Sequence, residues 1–305
     1  MRFATIALLP LTACAHLGPF PMPEVRYGEA VGLPLVQVPE DTRRLYVVVQ
    51  TESMGEQLWF FDTGYSHTTC DAATVEALGL PTRRSMARTR GELGSVRLKK
   101  ARMPSFNLGG HEVRGLRCAV RDIPGTSSIP AGASYNVAGV IGSNLLRRFV
   151  VEVDPSTGLL TLHDPSTYDF EPTFRARREW LVGPRLQVPV ELDGARVWPV
   201  LDYGATGTYL DAERLGLPLV EERQGQWQGT GNNNIETRTL RYYWAESTSL
   251  GEVEGPPIYV VDRQGFGGLV GMNLLMHYRV VLDYQSRQMQ VEQVQPAELP
   301  LYSRP

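Results

Sequence analysis

Cysteine, histidine and long apolar runs are all scarce in this 305-residue chain, and each scarcity removes a class of function. His16, His67, His111, His163 and His277 are scattered, with no His-Glu-x-x-His and no Cys-x-x-Cys, so no metal site is expected. No Gly-x-Ser-x-Gly elbow for a serine nucleophile occurs. The stretch Gly229 to Asn234 lacks the third glycine and the strand–helix setting of a dinucleotide loop. Beyond the N-terminus no run reaches about 18 consecutive apolar residues, the least that spans a bilayer. Charge is nearly balanced, 30 Lys and Arg against 33 Asp and Glu for a formal −3, and no basic stripe stands out; nucleic acid is not an expected partner. What is plentiful is Gly (30) and Pro (22), as many short strands joined by turns require.

The first residues have a different character. Arg2, the short apolar stretch from Phe3 to Leu11 and the small residues before Cys14 follow the three-part layout of an export signal. Leu11-Thr12-Ala13-Cys14 resembles the bacterial lipobox, which implies acylation of Cys14 and attachment to the cell envelope, at the outer membrane or its periplasmic side. A secreted product with no lipid is the other reading, since Pro10 interrupts the apolar stretch. Cys70 and Cys118 either form a disulfide within the first half or remain two buried thiols; their spacing does not decide between these.

An internal repeat organises the rest. "FFDTGYSHTTCDAATVEALGLP" (60–81) and "VLDYGATGTYLDAERLGLP" (200–218) each enter on two apolar residues and reach an Asp, with Gly two positions later. Both close on Leu-Gly-Leu-Pro. Downstream, "GVIGSNLLRRFVVEVDPSTGLLTLHD" (139–164) matches "GLVGMNLLMHYRVVLDYQSRQMQVEQ" (268–293) in the same order and spacing. The chain is a duplication. Period-two segments such as "LYVVVQTE", "FVVEVD", "LLTLHD", "RLQVPVEL" and "RVVLDYQ" predict strands. Short helices are predicted in "DAATVEALGL", "DAERLGL", "SNLLRRF" and "MNLLMHY". Asp154 and Asp283, each opening a turn in its repeat, are expected to accept turn hydrogen bonds.

These paired motifs resemble the aspartic proteases, both the two-lobed pepsin-like enzymes and the retropepsins. The matching positions are Asp62-Thr63-Gly64 with Val140-Ile141-Gly142, and Asp202-Tyr203-Gly204 with Leu269-Val270-Gly271. The resemblance implies an all-β, two-lobed fold built from tandem retropepsin-like barrel units with short helices. It implies an endopeptidase in which Asp62 and Asp202 share one proton and activate a water, with no cofactor and no metal. Thr63, Gly64, Tyr203, Gly204, Gly142 and Gly271 would support the two loops. The substrate would be an extended polypeptide covered by hairpins, with Gly91 and Gly94 in the first and Trp227, Gly229 and Gly231 in the second. A monomer suffices, because one chain supplies both aspartates.

The domains then run 1–14 export signal, 15–31 linker, 32–167 first lobe, 168–183 inter-lobe linker, 184–292 second lobe and 293–305 tail. Two positions depart from the family pattern: Tyr65 stands where a small residue is usual, and Tyr203 replaces the Thr or Ser of the second motif. A tyrosine hydroxyl lies a ring away from its backbone, so Tyr203 is expected to lose the short bond that crosses between the loops and to leave Thr63 seeking another partner. The alternative function follows: an envelope lipoprotein that keeps a peptide-binding cleft with impaired hydrolysis.

Overall fold

The computed structural model describes residues 22–39, 41–51, 55–91, 94–123, 137–179, 185–228, 235–263 and 268–302. Alternating apolar residues dictate an extended backbone with one buried face. Leu160 and Leu162 of Leu159–His163 are buried, as are Val151 and Val153 of Val150–Asp154. Pro189 divides "RLQVPVEL" into Leu186–Gln187 and Val190–Leu192, because proline has no N–H to donate to a ladder. Three short helices form, Ala72–Ala77, Ser143–Leu146 and Met272–Leu275. The first starts on the Asp71 side chain, which accepts from the N–H groups of Ala73 and Thr74. "DAERLGL" departs from expectation and stays a series of turns. Leu215 N–H donates to Asp211 O, but this copy is three residues shorter and stops before the turn can propagate.

The duplication is visible strand by strand. In the first half Gly55–Phe61 runs parallel to Val137–Ile141, which lies antiparallel to Thr69–Asp71, itself parallel to Arg117–Arg121. In the second half Val200–Leu201, Leu269–Val270, Thr208–Leu210 and Ile258–Asp262 repeat the same pairings in the same order. A long hairpin hangs from the last strand of each set: Arg83–Gly91 with Gly94–Arg102, and Leu219–Gln228 with Ile235–Ala245. The aspartate loops thereby occupy equivalent places. Asp154 accepts from Ser156 N–H at 2.9 Å and Asp283 from Gln285 N–H at 2.8 Å, as their turns require.

The halves are joined by β-pairing. Val150–Asp154 lies antiparallel to Tyr278–Asp283, with Val150 opposite Asp283 and Val153 opposite Val280. This sheet crosses from one half to the other, and the stretch between the lobes adds to it through Phe174–Arg175 against Met289 and Gln288. The tail returns to the first half: Gln37 N–H donates to Pro300 O at 3.0 Å, and Tyr302 N–H donates to Gln37 O at 2.7 Å. Cys70 and Cys118 form a disulfide between strands flanking the first aspartate loop. Closing a loop of 48 residues contributes about 4 kcal/mol by the chain-entropy argument. One expectation is corrected: a basic stripe does exist. The hairpin register sets Arg83 opposite Lys100, Arg84 opposite Lys99 and Arg88 opposite Arg97, a concentration that the near-neutral whole-chain balance hides.

An ion-pair network spans the inter-lobe sheet. Glu152 lies 2.8 Å from the His163 ring nitrogen Nε2 and 2.7 Å from Arg279 of the other half. The His163 hydrogen bond, with the Arg279 guanidinium, outweighs burial and holds Glu152 down from the usual carboxylate range to about 2. A depressed folded-state pKa adds stability above the unfolded value, and that stability is lost as pH falls through the folded one. After discounting for partial exposure the contribution is about 1–2 kcal/mol. Glu152→Gln is therefore expected to lower unfolding stability by about that amount at pH 7, with the difference from wild type shrinking between pH 4.5 and about 2 in urea melts.

Candidate active site

Each aspartate sits where an apolar strand ends. Asp62 N–H donates to Ile141 O at 3.2 Å, and Asp202 N–H donates to Val270 O at 3.0 Å, so the strand carrying each glycine stretch grips the residue beside it. The loops are braced alike. Gly142 N–H donates to Thr68 Oγ1 and Gly271 N–H to Thr208 Oγ1. Asn144 Oδ1 accepts from Thr68 N–H, and Asn273 Oδ1 accepts from Thr208 Oγ1 at 2.8 Å. Ser143 N–H reaches Tyr65 O at 2.8 Å, and Met272 N–H reaches Ala205 O at 2.9 Å. A Cβ on Gly142 would lie 2.6 Å from the His67 carbonyl carbon, and one on Gly271 would lie 2.6 Å from Ala205 O. Both glycines let a loop rest directly on a strand. The asparagines were not singled out in the sequence, although Gly-x-Asn recurs in both copies and carried the signal.

The two carboxyls meet. Asp62 and Asp202 are both buried, 6% and 8% exposed, and are hydrogen-bonded to each other. Their seats are reciprocal: a Cβ on Gly64 would overlap the Asp202 carboxyl, and a Cβ on Gly204 would overlap that of Asp62. Neither glycine has a left-handed backbone. They are glycine because the opposite carboxylate occupies the space a side chain would fill.

Burial pushes both carboxyls up from the ordinary Asp range. Asp62 rises furthest, because the Asp202 charge faces it as well; the N–H groups of Tyr65, at 3.0 Å, and Gly64 oppose this only in part. Asp202 is restrained by the Gly204 N–H at 2.9 Å, the Arg185 guanidinium and the Ala205 N–H. Two acids in contact cannot both ionise cheaply, so one proton serves the pair.

Thr63 locks the loops. Its Oγ1 donates to Leu201 O at 2.8 Å and accepts from Tyr203 N–H at 3.0 Å. The expectation that Tyr203 would leave Thr63 without its partner is corrected here: the crossing bond ends on backbone, which any residue at 203 supplies. What Tyr203 removes is the bond in the opposite direction. Its ring packs against Phe61, centroids 5.6 Å apart, and its buried hydroxyl has no partner among the described residues. Tyr65, the other unusual residue, turns toward its own lobe, where its ring joins the cluster of Val36, Tyr46 and Phe60 and its hydroxyl accepts from Arg121 Nη1 at 2.8 Å. His67 pairs through Nδ1 with Ser66 Oγ at 2.8 Å and is pushed down by burial.

Arg185 is a residue the sequence did not reveal. It ion-pairs with Glu179 at 2.6 Å and donates from Nη1 to Gly64 O at 3.4 Å, reaching from the second half to the first aspartate loop. Of the residues expected on the hairpins, Gly91 and Gly94 face each other at the end of the first, and Trp227 lies opposite Glu236 in the second. Gly229, Gly231 and Cys14 lie outside the described residues.

Two substitutions test the packing. Gly64→Ala is expected to destabilise the fold by about 1–3 kcal/mol through overlap with Asp202, whereas Gly207→Ala, whose Cβ would meet nothing nearer than 3.9 Å, is tolerated in parallel unfolding measurements. Tyr203→Phe removes a buried unpartnered hydroxyl and is expected to stabilise by about 1 kcal/mol in the same assay.

A family model described as aspartyl protease matches residues 55–145 and 188–274, together more than half of the chain, and each match holds one aspartate loop and one glycine stretch. No curated protein matches the chain.

Proposed function

Since the chain belongs to the aspartyl protease family, we propose that it is an endopeptidase that hydrolyses peptide bonds with a water held between Asp62 and Asp202. The observation that carries this reading is the mutual contact of two buried carboxyls, each seated over the other loop's glycine. Asp202, the member restrained by N–H groups and Arg185, takes a proton from the water as its oxygen adds to the scissile carbonyl carbon. Asp62, which holds the shared proton, donates it to the carbonyl oxygen. The proton gained by Asp202 then passes to the departing nitrogen as the C–N bond breaks, while Asp62 takes back a proton from a hydroxyl of the tetrahedral intermediate, leaving a carboxylic acid, an amine and the singly protonated pair. Water is the nucleophile, and no covalent enzyme intermediate forms.

The substrate is an extended polypeptide lying beneath the two long hairpins, whose equivalent attachment in both repeats supports a covering role. Export with a lipid anchor at Cys14 is the localisation we infer, in the bacterial envelope. The Cys70–Cys118 disulfide favours that reading, since such bonds persist in oxidising compartments. The unpartnered Tyr203 hydroxyl favours a second reading, a peptide binder with impaired turnover, because a one-way lock positions the pair less firmly.

Cleavage of a peptide library by wild type, Asp62→Asn and Asp202→Asn decides between them. Each variant is expected to lose at least about a thousandfold in kcat/KM; equal rates in all three would falsify the dyad. Turnover needs one proton on the pair, so the pH profile is bell-shaped. Its acid limb is the first ionisation of the pair and its alkaline limb the second, with burial pushing both carboxyls above the ordinary Asp range. The raised pKa values also mean that the folded state binds protons more tightly than the unfolded one, so the pair stabilises least once pH exceeds both values. Asp62→Asn is accordingly expected to melt higher than wild type at pH 7. A gain of cleavage in Tyr203→Thr would favour the impaired reading.

A further inference from the structure

The first hairpin, residues 83–102, carries eight Lys or Arg and a single acid, Glu92, in a chain whose formal charge is −3. Its register sets like charges directly opposite one another: Arg83 and Lys100, Arg84 and Lys99, Arg88 and Arg97. Arg102 in turn faces Arg117 of the next strand. Opposed like charges weaken a sheet, so folding alone does not favour them. Arg83, Arg84, Arg97, Lys99, Arg102 and Arg117 are exposed, and none pairs with a carboxylate among the described residues.

The second hairpin is the internal control. It holds the equivalent place in the repeat, yet Arg241 meets Glu222 at 2.8 Å and Arg223 meets Glu221 at 3.9 Å. One copy neutralises its cations and the other leaves them open. Because alternate residues project to opposite sides, Arg84 with Lys99 and Arg83 with Lys100 make the first hairpin cationic on both faces. Arg83–Gly91 is also the terminal strand of its sheet among the described residues, so one of its edges is open to a further strand.

We propose that this hairpin selects acidic polypeptide, pairing an extended segment rich in Asp or Glu along the strand Arg83–Gly91 and directing it to the dyad. The proposal deepens the endopeptidase reading and rests on it for the place of the cleft. An added strand extends the ladder at that edge, and its side chains repeat every second residue, the spacing of Arg97 with Lys99 and of Lys100 with Arg102 on the neighbouring strand. A lipid headgroup or a nucleic acid phosphate would meet the charge but leave the strand edge unused.

Fluorescence anisotropy with the full-length chain tests this independently of turnover. The probes are two labelled peptides with one apolar core, flanked by Glu in one and by Gln in the other. The Glu-flanked peptide is expected to bind about tenfold tighter at low ionic strength, with the preference collapsing by 0.5 M salt. Arg83→Gln, Arg84→Gln, Lys99→Gln and Lys100→Gln combined should erase the preference; removing mutual repulsion favours folding, which a thermal melt verifies. Arg223→Gln with Arg241→Gln in the second hairpin should leave it in place. Equal binding of the two peptides would mean that the charges only keep the strand edge from pairing, and the proposal fails. It fails equally if phosphatidylglycerol vesicles or a single-stranded oligonucleotide displace the Glu-flanked peptide from wild type and from the quadruple variant alike. Loss of all peptide cleavage with the Glu preference intact would count against the hydrolytic reading alone.

Discussion

Two carboxylic acids pressed together in a buried site repel, and the molecule resolves that repulsion by sharing a proton and by removing everything that would hold the acids apart. Gly64 and Gly204 show what this requires. Each lacks a side chain because the acid of the opposite loop occupies that volume, so neither loop is complete without the other. The contact is a constraint on both halves at once, and much of the fold can be read as the apparatus that keeps two loop tips within hydrogen-bonding distance.

That apparatus has three layers. Closest to the acids, backbone N–H groups and the Thr68–Asn144 and Thr208–Asn273 braces fix each loop on its own strand. Between the loops, Thr63 bonds the backbone on both sides of Asp202. Farther out, the shared sheet and the Glu152–Arg279 ion pair set how one half sits on the other, and the tail ties the C-terminus back to the strand holding Gln37. Displacements tolerable at the outermost layer are not tolerable at the innermost, where a fraction of an ångström separates a shared proton from two independent acids.

Duplication supplied the symmetry, and divergence has used the two copies differently. Tyr203 exchanges a hydroxyl lock for aromatic packing against Phe61, and Tyr65 turns into its own lobe, toward Arg121, while its counterpart is Ala205. Arg185 adds a positive charge on one side of the pair, which restrains the rise of Asp202 and sets the two acids in unlike surroundings. The hairpins diverge in the same manner, one internally neutralised and the other left cationic. Sharing one proton already makes one acid of the pair a donor and the other a base at one pH, and unlike surroundings bias the two roles.

The paired Asp-x-Gly and apolar-apolar-Gly motifs were legible in the sequence because their spacing is local: a strand end, a tight loop and a packing glycine each occupy a few consecutive residues. The strands were legible for the same reason, since burial on one face imposes a period of two. Contacts made across the chain left no such trace. Nothing in the spacing of Cys70 and Cys118 distinguished a bond from two thiols. The partners of Thr63 turned out to be backbone groups 138 and 140 positions away, and backbone carries no residue identity. Arg185 and the opposed cations of the first hairpin became meaningful only through register and cross-lobe contact. The sequence by itself determined the repeat, its β character and the two aspartates, all of them products of short-range pattern. Tertiary structure alone decided that the acids touch and which charges stay open, because those depend on distances between residues that the chain brings together only by folding.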